Sequence, residues 1–244
     1  MQTTLPRGWR TTLDVVFPRS CVHCAAAVED GRLRHVCAAC ERQLQVVAEP
    51  HCTTCGHPFF GEMEANRLCP HCETLEPEFG RGKTAILLKG PGRALVHALK
   101  YHHGLHVLED IAALMAAAPG YSEYLRDAVL VPVPLHPRKR RERTYNQSEL
   151  LAECAVATAG GLTRVETLLR RVVDTESQTH YDRAARQKNL KNAFAMTPGV
   201  TVNPAQHYVL VDDVFTTGST LNACAAVLRR AGALNLDIVT FGHG

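Results

Sequence analysis

The 244-residue sequence lacks long apolar segments, because no run of about 18 apolar residues of the kind that spans a bilayer occurs in it. Its N-terminus lacks the basic stretch followed by an apolar core that marks a secretory signal. Neither charge sign dominates, since 27 Lys and Arg stand against 24 Asp and Glu, and a net charge of +3 does not by itself indicate a nucleic-acid partner. We therefore expect a cytoplasmic protein with no membrane span.

Cysteine, by contrast, is abundant and unevenly distributed. Eight of the ten cysteines form four Cys-x-x-Cys pairs near the N-terminus, whereas Cys154 and Cys224 lie singly within apolar helical patterns that place them in the core. One such pair supplies two thiolates to a tetrahedral ion at about 2.3 Å, so four pairs predict two four-cysteine zinc sites. The predicted ligands are Cys21, Cys24, Cys37, Cys40, Cys52, Cys55, Cys69 and Cys72.

The spacing leaves open which pairs share an ion. Neighbouring pairs would form zinc ribbons, whereas a cross-brace would join the first pair with the third and the second with the fourth. Disulfides are disfavoured without an oxidising compartment, and redox Cys-x-x-Cys motifs normally occur once, at a helix start. We expect the zinc to be structural, because this segment has too few large apolar side chains for a core of its own.

The length suits one ordinary domain plus a small one, and we predict a zinc module over residues 1–78 and an α/β domain over residues 79–244. Apolar, β-branched runs predict strands at 84–88, 130–133, 165–169, 208–211 and 236–241. Apolar residues at helical spacing predict helices at 93–102, 107–118 and 146–159.

The most informative segment begins at His207 and predicts a strand, a loop, a helix that stops at Gly232, and a further strand. The first strand ends in Asp212 and Asp213. The loop is rich in small hydroxyl residues, and its backbone N–H groups, with those of the helix start, favour a phosphate. Two carboxylates beside it suit sugar hydroxyls, which predicts a ribose 5-phosphate site. The predicted ligand-binding loop residues are Thr216, Thr217, Gly218, Ser219 and Thr220.

Two other interpretations of this segment compete with a sugar-phosphate site. The paired aspartates after a strand could instead hold a metal for phosphatase chemistry. The hydroxyl-rich turn could serve only to cap the helix.

Residues 209–220 closely resemble the phosphoribosyl-pyrophosphate loop of type I phosphoribosyltransferases. Within that superfamily, an ordered set of motifs resembles the ComF family of competence proteins over nearly the whole chain. The set comprises Phe17-Pro18 before Cys21, Leu99-Lys100-Tyr101 with Gly104, Val131-Pro132-Val133-Pro134-Leu135-His136, Arg143-Thr144-Tyr145-Asn146-Gln147, and Thr175, Gln178, Arg183, Arg186, Asn189 and Ala193-Phe194. Thr144 departs from the pattern, which has glycine there.

The resemblance implies an α/β type I phosphoribosyltransferase fold, a parallel sheet flanked by helices, behind a small N-terminal cysteine-rich zinc-ribbon module. It implies that Asp212 and Asp213 hold the ribose hydroxyls, and that the hydroxyl-rich loop holds the 5-phosphate of phosphoribosyl pyrophosphate. Mg²⁺ and arginines would neutralise the leaving pyrophosphate. The pyrophosphate region would include Arg143, Asn146 and Gln147, and a mobile loop over residues 171–189 would contribute Arg183 and Arg186.

Basic residues cluster at 138–143 and again around Arg183 and Arg186. Pyrophosphate binding is the first interpretation for Arg143, Arg183 and Arg186, and DNA contact is the second for residues 138–141. Few aromatic side chains near these stretches could stack on bases, only Tyr145 and Tyr181.

Three functions stay open at this stage. The first is an active phosphoribosyltransferase whose acceptor the sequence does not identify. The second is a non-catalytic sensor of phosphoribosyl pyrophosphate or a nucleotide. The third is an adaptor that binds single-stranded DNA and carries a vestigial pocket. The family resemblance implies a role in natural transformation, with single-stranded DNA and competence or DNA-processing proteins as candidate partners.

Overall fold

A computed structural model of the chain describes residues 19–29, 31–61, 65–101, 104–173 and 192–244. In chain order its strands are β1 (Gly82–Leu87), β2 (Val129–Pro132), β3 (Arg164–Val165), β4 (Leu169–Arg171), β5 (Phe194–Met196), β6 (His207–Phe215) and β7 (Asn235–His243). Its helices are α1 (Ala38–Glu41), α2 (Pro70–Glu73), α3 (Gly90–Tyr101), α4 (Leu108–Ala117), α5 (Tyr121–Leu125), α6 (Pro137–Arg143), α7 (Gln147–Ala159) and α8 (Ser219–Arg230).

Five strands form one sheet in the order β1-β7-β6-β2-β3, and every neighbouring pair in it is parallel. Parallel pairing requires crossover connections, which α3 to α5, α7 and α8 provide. Successive side chains of β6 pack on opposite faces of the sheet, because side chains alternate in direction along a strand. Val209 and Val211 pack with α3, α4 and α7, whereas Leu210 packs with α8. The predicted fold class, a parallel sheet flanked by helices, is therefore confirmed.

The cysteine-rich segment forms two ribbons, which we call ribbon 1 (residues 19–47) and ribbon 2 (residues 50–79). Ribbon 1 docks on α4, where the buried Asp110 carboxylate accepts the backbone N–H groups of Arg34 and His35, both at 2.7 Å. Ribbon 2 lies along β1, and the Gly82 N–H donates to Thr53 O at 2.9 Å. A Cβ atom at Gly82 would lie 2.1 Å from Thr54 O, so this contact requires glycine.

Two strand predictions differ from the structure. The segment at 165–169, predicted as one strand, is divided between β3, which joins the main sheet, and β4, which pairs antiparallel with β5 in a separate two-stranded sheet. β6 extends beyond the predicted end at 211, because its pairing with β7 continues to Phe215 opposite His243. None of the helices in the described part of the chain combines the length and apolar composition that a membrane span requires.

Candidate functional site

The carboxyl edge of the sheet carries the two predicted aspartates. Both lie within β6, which runs on to Phe215. Asp212 Oδ1 accepts hydrogen bonds from Ser148 Oγ at 3.0 Å and from the backbone N–H of Asp213 at 2.9 Å. Asp213 Oδ2 lies 3.0 Å from Lys100 Nζ. Side chains from the end of α3 and the start of α7 therefore hold both carboxylates at this edge.

These two carboxylates have few donors around them. Burial, followed by the negative charge of Asp213, raises the pKa of Asp212 to about 7, and Lys100 and Ser148 oppose that rise only in part. Asp213 is 5% exposed, and its Oδ2 atom accepts no well-directed hydrogen bond from the described residues, although the ion pair with Lys100 is present. Such a pair is suited to accept hydrogen bonds from ligand hydroxyls or to ligate a hard divalent cation.

A short loop leads from β6 into α8. Within it, Thr217 Oγ1 lies 3.0 Å from Ser219 Oγ and accepts the Ser219 backbone N–H at 3.4 Å. Thr216 is exposed, whereas Thr217 and Thr220 are half-buried. The first turn of α8 contains no acidic residue, so the positive end of its dipole and its unpaired N–H groups favour an anion.

Gly218 is essential to the shape of this loop. Its φ of +69° lies in the left-handed region. A Cβ atom there would lie 2.6 Å from Phe215 Cζ and 2.8 Å from Leu75 Cδ2. The predicted phosphate, which has to approach the loop backbone closely, is one reason for this glycine. The structure adds a second reason, because the missing side chain admits Leu75 of ribbon 2.

The turn between α6 and α7 carries the next predicted group. Asn146 is buried and caps α7, accepting the Ser148 backbone N–H at 3.1 Å, while its Nδ2 donates to Val133 O at 3.0 Å. Its side chain thus ties the start of α7 to the end of β2. Thr144 adopts a φ of +69°, the left-handed conformation that explains why the family pattern has glycine at this position.

Arg143 and Gln147 are paired across this turn, with Arg143 Nη1 donating to Gln147 Oε1 at 3.2 Å. The Arg143 guanidinium also lies over the Tyr101 ring, 5.2 Å from its centroid. The remaining two predicted site residues, Arg183 and Arg186, lie outside the described residues, as does most of the expected mobile loop.

Three residues that touch the site were not among those predicted for it. Lys100 belongs to the Leu99-Lys100-Tyr101 motif of the family resemblance, but it was given no role in the site. Ser148 follows Asn146 and Gln147 without any distinguishing signal of its own. His71, between two zinc ligands, places Nε2 3.2 Å from the backbone oxygen of Thr217. Of these three residues, only Lys100 had a signal in the sequence, namely its place in a family motif at the end of the helix predicted at 93–102.

The cysteines assemble into two groups away from the aspartates, and within each group the ligand atoms lie within 4.8 Å of one another. Cys24 Sγ is 3.6 Å from Cys37 Sγ, and Cys55 Sγ is 3.9 Å from Cys69 Sγ. Zinc–sulfur bonds of about 2.3 Å in a tetrahedron separate two sulfurs by about 3.8 Å, whereas a disulfide holds them about 2 Å apart. Both groups therefore fit structural Zn²⁺. The groups are Cys21, Cys24, Cys37, Cys40 and Cys52, Cys55, Cys69, Cys72, which is the neighbouring arrangement and not the cross-brace.

The thiols of the second group perturb one another's ionisation. Hydrogen bonds from the Cys55 and Cys72 thiols hold the pKa of Cys52 well below its ordinary value. Side-chain contacts with Cys52 and Cys55 raise the pKa of Cys72. Thiols this close cannot all ionise unless a metal ion balances their charge. With four sulfur ligands the site is closed, so zinc here would stabilise the ribbon and leave no position for a substrate.

Comparison with known proteins gives relatives over most of the chain. Residues 12–73 match the double zinc ribbon domain family. Competence protein F of Haemophilus influenzae is 27% identical over 91% of this chain and 96% of its own length. The DNA utilization protein YhgH of Salmonella typhimurium is 31% identical over 83% of this chain and 88% of its own length. Among solved structures, a hypoxanthine phosphoribosyltransferase from Staphylococcus aureus superposes with a TM-score of 0.36 at 14% identity, covering 55% of this chain and 62% of its own.

Proposed function

The chain belongs to the ComF family of competence proteins, and from this premise we propose that it binds phosphoribosyl pyrophosphate with Mg²⁺ and acts in DNA uptake. The names of its relatives, competence protein F and DNA utilization protein YhgH, support the second half of this proposal. The paired carboxylates beside the start of α8 support the first half. We further propose residues 1–78 as the zinc module and 79–244 as the ligand-binding domain.

One observation carries the ligand assignment. An acidic pair at the carboxyl edge of the sheet, Asp212 and Asp213, lies on the same strand that leads directly into an anion-favouring helix start. A ligand that is only anionic would be repelled by the carboxylates, and a simple sugar would leave the helix start unused. A sugar phosphate with free vicinal hydroxyls satisfies both, because hydroxyls donate to carboxylates and the phosphate accepts from N–H groups.

The proposed roles follow from these contacts. Asp212 and Asp213 accept hydrogen bonds from the 2- and 3-hydroxyls of the ribose, and residues 216–220 hold the 5-phosphate. Lys100 holds Asp213 in place through their ion pair. Asn146 and Gln147 shape the turn that presents Arg143, which with Arg183 and Arg186 neutralises the pyrophosphate. Mg²⁺, when bound with the ligand, would supply further positive charge at the pyrophosphate, and the two aspartates offer the oxygen ligands it prefers.

Calorimetric titration with sugar phosphates tests this assignment. The zinc-loaded protein is expected to bind phosphoribosyl pyrophosphate with Mg²⁺, and to bind ribose 5-phosphate more weakly. 2-Deoxyribose 5-phosphate lacks one hydroxyl donor, so it should bind at least about tenfold more weakly than ribose 5-phosphate, since a hydrogen bond to a charged group contributes about 1.5–3 kcal/mol. Equal affinity for the two sugars would remove the aspartates from sugar recognition, and no binding of phosphoribosyl pyrophosphate would overturn the proposal.

Measuring pyrophosphate release distinguishes a transferase from a non-catalytic sensor. A transferase would release pyrophosphate steadily once its acceptor is supplied. A sensor would bind phosphoribosyl pyrophosphate with no turnover in the presence of any acceptor, and its role would be to couple DNA uptake to the supply of this ligand.

A second candidate function, binding of single-stranded DNA, is favoured by the surface beside α3. Arg93, His97 and Tyr101 occur at every fourth position of this helix and are exposed. A groove of about 450 Å³ between α3 and ribbon 1 is lined by Arg93, His97 and His23 and by no carboxylate. Arg143 over Tyr101 connects this surface to α6. Cationic side chains alternating with rings suit the phosphates and bases of a single strand.

The basic helix α6 offers less positive charge to DNA than its composition suggests. Arg138 pairs with Glu142 at 3.2 Å, and Arg140 pairs with Glu149 at 3.1 Å through both of its terminal nitrogens. These internal pairs reduce the charge that the helix offers to a polyanion. Arg141 is exposed and has no acidic partner among the described residues, so it is the best placed member of the cluster for DNA contact.

Replacing Arg93 and Arg141 together by glutamine is expected to weaken binding of an oligothymidylate about tenfold near 0.1 M salt. It should also reduce the slope of log affinity against log salt by roughly 1.4, because each phosphate contact on a single strand contributes about 0.7. Fluorescence anisotropy over a salt series measures both quantities. Arg230→Gln, an exposed arginine at the end of α8, is the matched control. An equal loss in this control would show that net charge, and not the α3 surface, governs binding.

A further inference from the structure

Ribbon 2 contacts the loop to which we assign the phosphate. His71 Nε2 lies 3.2 Å from the backbone oxygen of Thr217, so a proton on Nε2 makes this a hydrogen bond from the ribbon to the centre of the loop. The His71 ring also packs edge-on against Phe215, with centroids 6.2 Å apart and an angle of 83° between the planes. The centre of the loop and the strand end that precedes it are thus both in contact with one side chain of the zinc module.

The same ribbon holds the helix that follows the loop. Leu75 occupies the space that a side chain at position 218 would fill. The Glu78 N–H donates to Asn222 Oδ1 at 2.6 Å in the first turn of α8. Farther along the helix, Arg229 Nε donates to the Glu78 backbone oxygen at 2.8 Å. The start and the end of α8 are therefore tied to ribbon 2 by directional hydrogen bonds as well as by packing.

Ribbon 1 provides an internal comparison. Its docking contacts go to α4, through the hydrogen bonds that Asp110 accepts and an ion pair between Arg34 and Glu109 at 3.0 Å. They also go to β1, where the Val47 N–H donates to Ala85 O at 2.9 Å. Among the described residues, these docking contacts of ribbon 1 end on α4 and β1 and not on the loop at 216–218. The two ribbons carry the same metal-binding chemistry, but only one of them adjoins the proposed ligand.

The position of His71 depends on the second zinc site, because it lies between the ligands Cys69 and Cys72 in the short helix α2. We propose that ribbon 2 is one wall of the phosphate site, that His71 positions the loop through Thr217, and that zinc in ribbon 2 and ligand in the loop stabilise each other. This inference rests on the proposed function. Coupling between two sites is reciprocal, so a ligand that orders the loop must also retain the zinc of ribbon 2.

Zinc transfer to a colorimetric chelator tests the coupling in the intact protein. Two zinc equivalents should leave each chain, and phosphoribosyl pyrophosphate with Mg²⁺ should slow one of them about fivefold while leaving the other unchanged. In His71→Ala the ligand should no longer slow either one, and affinity for phosphoribosyl pyrophosphate should fall about fivefold, the typical value of one hydrogen bond. His71→Gln, which retains a side-chain N–H donor, should recover much of the effect. The control is His51→Ala in the same ribbon. Among the described residues its ring is bonded to Cys52 O, and its bond to Asn66 Oδ1 comes from the backbone N–H, which alanine retains.

A ligand-independent measurement keeps this inference separate from the proposed function. Hydrogen exchange of the backbone amides at 216–220 in the ligand-free protein should be about fivefold faster in His71→Ala than in the wild type, and unchanged in His51→Ala. If the wild type binds no phosphoribosyl pyrophosphate, the proposed function fails, and this exchange result still decides whether His71 holds the loop. Unchanged exchange in His71→Ala, or equal ligand protection of both zinc ions, would overturn the coupling.

Discussion

Replacing Asp212 and Asp213 together by asparagine is expected to abolish most of the affinity for phosphoribosyl pyrophosphate. Asparagine preserves the size of each side chain but removes the charge that strengthens a hydrogen bond from a ribose hydroxyl. Each lost charge-assisted bond costs about 1.5–3 kcal/mol, so the double variant should bind roughly a hundredfold to ten-thousandfold more weakly. Calorimetric titration in the presence of Mg²⁺ measures the change.

The control for this variant is Glu153→Gln, which removes an exposed carboxylate of α7 that lies outside the proposed site. It should bind as the wild type does, with the same zinc content and melting temperature. A double aspartate variant that is folded and retains wild-type affinity would show that the ligand does not contact the end of β6.

The pH dependence of the wild type gives a second readout of the same pair. The pKa of Asp212 is raised to about 7, so half of the ligand-free protein carries a proton there near neutral pH. A hydroxyl donor prefers the ionised carboxylate, and affinity for the ligand should therefore increase from pH 6 to pH 8 and then level off.

Because the pKa of Asp212 in the folded protein lies above its pKa in the unfolded chain, Asp212 favours folding at low pH, and that contribution is lost as pH rises through about 7. The ligand-free protein should thus melt lower at pH 8 than at pH 6, and Asp212→Asn should reduce both trends.

Loss of one zinc ligand is expected to have the largest effect on folding. The wild type should contain two zinc ions per chain, and Cys24→Ser or Cys52→Ser should each contain one. Structural zinc contributes roughly 10–16 kcal/mol in finger peptides, comparable with the whole stability of a typical domain, so the affected ribbon should unfold. Metal analysis and thermal melting followed by circular dichroism measure the two consequences. Cys52→Ser should also weaken ligand binding, whereas Cys24→Ser should leave it nearly unchanged.

Two further variants make the zinc measurement specific. Cys154→Ser changes a half-buried cysteine outside both groups and should retain two zinc ions. The combination of Cys24→Ser with Cys37→Ser should retain one ion, because both residues belong to the same group. Loss of both ions from that combination would indicate the cross-braced arrangement and contradict the grouping of the ligands.

Sequence reasoning identified the features that depend on residues close together in the chain. The zinc ligands follow from the Cys-x-x-Cys spacing, because two cysteines separated by two residues can both bind the same ion. The acidic end of β6 and the hydroxyl-rich start of α8 follow from a single strand–loop–helix segment. Thr144 is an intermediate case, because the sequence marked the turn by a departure from glycine and the structure shows that its φ is positive.

Sequence reasoning was wrong where a segment had more than one possible partner. The segment at 165–169 was predicted as one strand, but its first residue joins β2 and its last joins β5. A local pattern does not encode that division, because strand pairing depends on which edges remain available once the rest of the sheet has formed. The surroundings of Asp213 are a similar case, since Asp213 lies on β6 and its cationic partner Lys100 lies on helix α3.

The sequence by itself determined which atoms carry the chemistry: eight thiolates in pairs, two adjacent carboxylates, and a loop of hydroxyls before a helix. Tertiary structure alone decided how they are combined, including which cysteine pairs share an ion, which cation faces Asp213, and which ribbon adjoins the loop. His71 and Thr217 are 146 positions apart, so nothing local couples them. They meet because the apolar face formed by ribbon 2, Phe215 and α8 is removed from water only when these elements pack together.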